Sequence, residues 1–234
     1  TDPGVVAALR ARFQPDPTIT TQGEYVRVLW LTGRFDEART ALAVAERHVA
    51  GTGDPQGRAF IALFASELAL MTGEFERAEQ IAADGIALCE EHGIASERLW
   101  LTAYLGMARA ARGDAAGGIP LMRASLDVFH AIECFVSVPF FQAHLAAAEL
   151  AAGNAPAAQQ AVDVGFRLVE RTGEHAWDAE LWRVQAAILA KAPASRPDGL
   201  TAAAARSRAR QAAEASGAVA LSERVAADES NTAG

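Results

Sequence analysis

Cysteine is almost missing from this chain, which has only Cys89 and Cys134. Neither lies in a CxxC pair or a Cys/His cluster, so a disulfide framework is excluded and both read as small hydrophobes suited to a reducing compartment. The expected compartment is therefore the cytoplasm. Long apolar runs are also absent, and none approaches the ~18 residues of a membrane-spanning helix. There is no GxxxxGK[ST] phosphate loop. Serine and threonine are scattered with no nucleophile elbow, which leaves hydrolase chemistry nothing to stand on. The five histidines, His48, His92, His130, His144 and His175, form no HxxxH pair, and the lone HxxE at His130 and Glu133 has no second His nearby in sequence. Accordingly no catalytic residue, metal or cofactor is expected, and the chain reads as a non-enzyme. Excess positive charge is lacking as well. The net charge of −8 argues against a nucleic-acid surface in this region. The one local basic cluster, Arg206, Arg208 and Arg210, uses alternate residues that cannot share a helix stripe, so it reads as a solvated face.

Alanine is abundant. It accounts for 55 of 234 residues, and hydrophobic residues make up 51%. Alanine is the best helix former. With few alternating Val/Ile/Thr stretches, the pattern predicts an all-α fold. The organising feature is a repeat. LTGRFDEA at Leu31–Ala38 returns in outline as MTGEFERA at Met71–Ala78, ARGDAAGG at Ala111–Gly118 and AAGNAPAA at Ala151–Ala158. Gly33, Gly73, Gly113 and Gly153 mark a 40-residue period, which predicts stacked copies of one supersecondary unit. Further columns keep the period with small residues: Ser66, Gly106, Ala146 and Ala186; Ala45, Gly85, Ser125 and Gly165; Ala38, Ala78, Gly118 and Ala158. Such columns are expected at close helix–helix contacts.

Each unit divides into a helix A, a tight turn at the glycine, and a helix B. Asp-Pro pairs at Asp2-Pro3, Asp16-Pro17 and Asp54-Pro55 suit helix starts. The predicted segments are a partial helix in 1–15, repeats at 16–53, 54–93, 94–134, 135–174 and 175–216, a capping helix at 217–227 and a frayed tail at 228–234. Together these make one repeat domain of about five helix pairs. Gly53, Gly93 and Gly173 close three B helices, with Glu133 as the exception in that column. Pro120 predicts a kink or a late start in the third B helix. KAPASRPD at Lys191–Asp198 reads as an exposed loop. The chain begins at Thr1 without a methionine, as an excised piece or a processed form would.

The pattern Gly33-Phe35-Ala38 and Gly73-Phe75-Ala78, with Leu105-Gly106 seven residues before Gly113, resembles tetratricopeptide repeats. The longer period implies longer helices than usual. DPGV at Asp2–Val5, VPFFQAHLAAAEL at Val138–Leu150 and RTGEHAWDAELWRVQAAIL at Arg171–Leu189 resemble a narrower group. These are the C-terminal repeat regions of bacterial multidomain ATPase-type signalling and transcriptional regulators, associated with adenylate cyclase or DNA-binding domains. Trp177, Ala179, Glu180, Leu181 and Arg183 match that group's hallmark, whereas Val184, Ala186 and Ala187 depart from it.

This resemblance implies a concave face lined by A helices. One inward column would be Thr20, Phe60, Trp100, Phe140 and Glu180. A second would be Arg27, Glu67, Met107, Ala147 and Ala187, and a third Trp30, Leu70, Ala110, Leu150 and Ala190. The candidate groove residues are Phe60, Trp100, Phe140, Arg27, Trp30, Glu67, Met107, Glu180 and Arg183. The rings would either wall a site for an apolar ligand or partner helix, or fill gaps in the core. The charges would either clamp a polar group or pair with each other. Trp177 reads as core and Trp182 as the more exposed ring. The expected work is binding or sensing of a peptide, a partner protein or a small molecule. Possible partners include the chain's own upstream ATPase domain and a second copy of the chain. A free-standing adaptor is the alternative.

Overall fold

The repeat glycines stand where the backbone needs them. Gly33, Gly73, Gly113 and Gly153 adopt φ of 79°, 77°, 97° and 82°, a left-handed conformation that a Cβ disfavours. Past each glycine the next amide bonds the carbonyl five residues earlier. The pairs are Arg34 to Leu29, Glu74 to Ala69, Asp114 to Arg109 and Asn154 to Glu149, at 2.8–3.0 Å. One turn has thus been built four times.

The computed structural model describes residues 17–192 and 199–232, with side chains as far as Asp228. Its helices are α1 (Pro17–Leu31), α2 (Phe35–Thr52), α3 (Pro55–Met71), α4 (Phe75–His92), α5 (Ala95–Ala111), α6 (Ala115–Ala131), α7 (Val138–Ala151), α8 (Ala155–Thr172), α9 (Asp178–Lys191), α10 (Ala202–Ser216) and α11 (Val219–Thr232). A short 3-10 turn, His175–Trp177, leads into α9. No strand occurs among the described residues. The protein is an all-α helical-repeat solenoid in which odd-numbered helices through α9 are the A helices and even-numbered ones the B helices.

Helix starts follow their caps. Asp54 accepts the Gln56 amide at 3.0 Å with Pro55 in the first turn, and Asp114 accepts the Gly117 amide at 2.8 Å. Pro120 neither delays nor ends α6, because the Asp114 cap has already started the helix five residues earlier. The helix α11 continues past Asp228 to Thr232, into the stretch expected as a frayed tail. The partial helix expected in 1–15 lies outside the described residues; of the loop expected at Lys191–Asp198, Lys191 still belongs to α9 and 193–198 lie outside them. Glu133, the exception among the closing glycines, still takes φ 54° beside 67°, 68° and 72° at Gly53, Gly93 and Gly173. The turn imposes the left-handed conformation on a residue ill suited to it.

The helices fall into two compact units. The first comprises the chain through Trp30 and then Arg34–Ala108. The second comprises Leu31–Gly33 and everything from Arg109 onward. In both, the small-residue columns are packing contacts, with all twelve residues buried. A Cβ added to Gly85 would meet Leu101 Cδ1 at 2.8 Å, and one added to Gly165 would crowd Leu181 Cδ2 more closely still. Both leucines lie sixteen residues beyond their glycine, so one B-to-A contact recurs in the two units. In the first unit, Gly23 gives the Phe64 ring room against α1. No helix among the described residues is long and apolar enough to cross a membrane.

Candidate functional site

The nine groove candidates divide by burial. Trp30 (1% exposed), Glu67 (1%), Met107 (3%), Phe140 (0%) and Glu180 (1%) present almost no surface to a ligand. For these five the long A helices bury the inward column in the repeat stack, and the expected open wall is replaced by core. Phe60, Trp100, Arg27 and Arg183 remain partly exposed.

In the first unit, partial exposure and charge converge. Phe60 on α3 tilts against Phe64, with ring centroids 5.3 Å apart, and the Arg27 guanidinium lies 4.8 Å from the Phe64 ring centre. Such a stack is favoured because the ring face is electron-rich. Arg27 also grips Glu67 through two bonds, Nε to Oε1 at 2.8 Å and Nη2 to Oε2 at 2.7 Å. These residues are forty apart, at equivalent places in successive repeats. Trp30 Nε1 donates to Oε1 at 3.0 Å and the Tyr104 hydroxyl to Oε2 at 2.6 Å. Burial alone would raise the Glu67 carboxyl, but the Arg27 charge and these four hydrogen bonds outweigh it and hold it below the usual range. Burial likewise lifts the Tyr104 phenol well above its ordinary value, so it stays a donor. Trp100, on α5, is forty residues beyond Phe60 and keeps part of its indole in solvent.

The second unit holds a different arrangement. Glu180 on α9 receives Arg183 Nε and Nη2 at 3.0 and 2.9 Å on Oε2, and Arg224 Nε at 2.7 Å on Oε1. Arg183 Nη1 reaches Asp228 at 2.6 Å. This network joins α9 to α11. Burial opposes ionisation of Glu180, and the two arginines overcome it, leaving the carboxyl well below its usual range. His144 stands nearby on α7. Its imidazole is pushed down to about 3, first by burial, with the Arg224 and Arg183 charges adding to that and Glu180 opposing. Its Nε2 is enclosed and has no hydrogen-bond partner among the described residues. Phe140 fills the space between this group and Trp177, with centroids 4.5 and 4.6 Å away.

Sequence reasoning missed Tyr104, His144, Arg224 and Asp228 as members of these clusters. Phe64, Tyr104 and His144 are spaced forty residues apart, so the repeat itself carried a signal for two of them. Arg224 and Asp228 lie beyond the last repeat, where that spacing says nothing. Trp177 is buried at 2% exposure and Trp182 is the more exposed of the two, half-buried between the Phe166 ring at 4.4 Å and the Arg208 guanidinium at 4.6 Å. Arg208 is exposed, as a solvated face requires, and lies over the Trp182 ring. Cys89 is buried, and burial lifts its thiol to about 11. Among the described residues no group of His, Cys, Asp and Glu side chains is arranged to hold a metal ion.

The chain is similar to the crystal structure of PlcR from Bacillus thuringiensis in complex with the peptide PapR7 and DNA. The TM-score is 0.71 at 13% sequence identity, over 91% of this chain and 75% of that one. The fold is a tetratricopeptide-like helical repeat. At so low an identity the likeness concerns the fold alone. No family model matches the chain, and no curated protein matches its sequence.

Proposed function

We propose that this chain is the partner-recognition module of a bacterial regulator and that it takes a peptide segment on the A-helix face of its first unit. The observation that carries this reading is the partly exposed pair Phe60 and Trp100, at equivalent places in successive repeats, with the Phe64 ring against Phe60. Partly exposed aromatic surface repeated along the A helices suits the apolar side chains of a peptide segment. The fold shared with PlcR, whose structure holds a peptide, supports it. In this reading the chain performs no catalysis, works in the cytoplasm and contacts no nucleic acid through this region. A bound segment would favour one arrangement of the helices, and a linked domain would feel that difference.

The finer placement rests on the sequence resemblance, which puts the chain at the C-terminal side of an ATPase-type signalling or transcriptional regulator. A reading frame continuing upstream of Thr1 into a phosphate-loop domain would support it, whereas one that starts at this module would favour the free-standing adaptor. Native mass spectrometry of the purified chain, with and without host extract, tests the site. A retained peptide mass that disappears on Trp100→Ala is the expected result. A clean mass in both conditions, with the wild-type fold intact, counts against the groove.

A further inference from the structure

We propose that the recess between α9, α10 and α11 binds a small aliphatic carboxylate. The recess, open to solvent on one side, has a volume of about 210 Å³. At roughly 30 Å³ per water this is about seven water volumes, the room a branched five-carbon acid needs. It exists because its lining is short: Ala186, Ala187, Ala190 and Ala209, with Val225. Ala186, Ala209 and Val225 are buried at 3%, 0% and 2% exposure, which gives the recess an apolar floor.

Charge selects the occupant. Arg183, Arg206 and Asp228 complete the lining. The Asp228 carboxylate already accepts Arg183 Nη1 at 2.6 Å, and Arg183 and Arg224 both hold Glu180. These three arginines outnumber the two carboxylates by one. Arg206 is the surplus cation: among the described residues it makes no hydrogen bond, ion pair or ring contact, unlike Arg208, which lies over Trp182. A half-buried guanidinium at the wall of an apolar recess suits a ligand with a carboxylate at one end and a short branched stem at the other. The net excess of one positive charge disfavours a cationic occupant and gives a neutral isostere no matching advantage. The site shares no residue with the Phe60 and Trp100 face and stands without it.

The test is an NMR titration of the ¹⁵N-labelled full chain with isovalerate and with its neutral analogue isovaleramide, repeated on Arg206→Gln, Ala190→Leu and Trp100→Ala. The proposal expects saturable shifts in α9, α10 and α11 amides with isovalerate, and at least tenfold weaker binding of the amide. Arg206→Gln should lose at least tenfold in affinity with an unchanged melting temperature, because Arg206 has no partner to strand. Ala190→Leu should weaken binding by filling the recess from its rim. Trp100→Ala should leave isovalerate binding untouched, which separates failure here from failure of the peptide groove. Equal binding of acid and amide, no effect of Arg206→Gln, or no saturable shift at tens of millimolar would each overturn the site. A further arm with N-acetyl-glycyl-valine distinguishes the source of the carboxylate. Tighter binding than isovalerate assigns the site to a peptide C-terminus, and weaker binding to a free acid.

Discussion

Glu67 and Glu180 are both buried carboxylates on A helices, and both are held below their usual pKa. They do opposite jobs. Glu67 has one cation and two neutral donors, drawn from α1 and α5 on either side of α3. That makes a bridge across three successive A helices, with the exposed Glu24 taking the remaining Arg27 nitrogen at 3.2 Å. Glu180 has two cations, one from its own helix and one from α11, and its network extends to Asp228. That makes a clamp on the last helix, with Arg206 left over beside it. A buried carboxylate inside the repeat array ties repeats together, whereas one at its end fastens the helix beyond the array.

If the two differ in this way, removing them should differ too. Glu67→Ala removes the buried acceptor shared by the Arg27 guanidinium, the Trp30 indole N–H and the Tyr104 hydroxyl, leaving Arg27 only the exposed Glu24. Breaking a buried pair from one side typically destabilises by about 3–5 kcal/mol, and denaturant unfolding should show a loss of that size. Glu180→Ala should cost less, about 2 kcal/mol, since Arg183 keeps Asp228 and the Arg224 side chain is already 30% exposed. Hydrogen exchange should show where the loss falls. Faster exchange is expected in α11 with little change in α1–α4, because repeat arrays couple chiefly to neighbours. A larger loss at Glu180 than at Glu67, or faster exchange throughout, would break the comparison.

The sequence made the repeat legible because turns and close contacts restrict residue type. Gly33 and its equivalents need a left-handed backbone, and the small columns need space, so the period and the position of each turn could be read from residue type. The inward columns were read less well. An aromatic or a glutamate in a helical column looks the same whether it faces a groove or the next helix. Phe60 kept surface where Phe140 did not, because Phe140 is enclosed by His144, Phe141 and Trp177. Glu67 was visible as a charge, but its partner Tyr104 was not, because pairing across repeats depends on side-chain reach. The α11 contacts of Arg224 and Asp228 follow no repeat and could not be counted off the lattice.

His144 sharpens the comparison through pH, since the Glu67 cluster has no imidazole. Its folded value of about 3 lies below the ordinary 6.5. The unfolded chain therefore takes up a proton first, and stability present above about pH 6.5 is lost as pH falls toward 3. One proton of difference corresponds to about 1.4 kcal/mol per pH unit. Glu67 and Glu180 are also depressed, but their contribution is full above about 4.5 and is lost only below it. Stability measured at several pH values between 6 and 5 should therefore slope more steeply in the wild type than in His144→Gln. Parallel slopes would mean that the imidazole stays accessible to protons in the folded chain.

The smallest effect expected is a gain. Gly93 and Glu133 occupy equivalent closing positions, one in each unit, at φ 68° and 54°. A left-handed conformation costs a residue with a Cβ about 1–2 kcal/mol, and the greater chain entropy of unfolded glycine offsets part of that. Glu133→Gly should therefore stabilise by about 0.5–1 kcal/mol, and Gly93→Glu should destabilise by a similar amount. The side chain given up at Glu133 faces Arg171 at 3.5 Å with both groups exposed, and a pair of that kind contributes little. A rise in melting temperature for the first variant and a fall for the second would show that the turn, rather than the residue in it, sets the backbone. A fall in both would mean that the Arg171 contact outweighs the strain at Glu133.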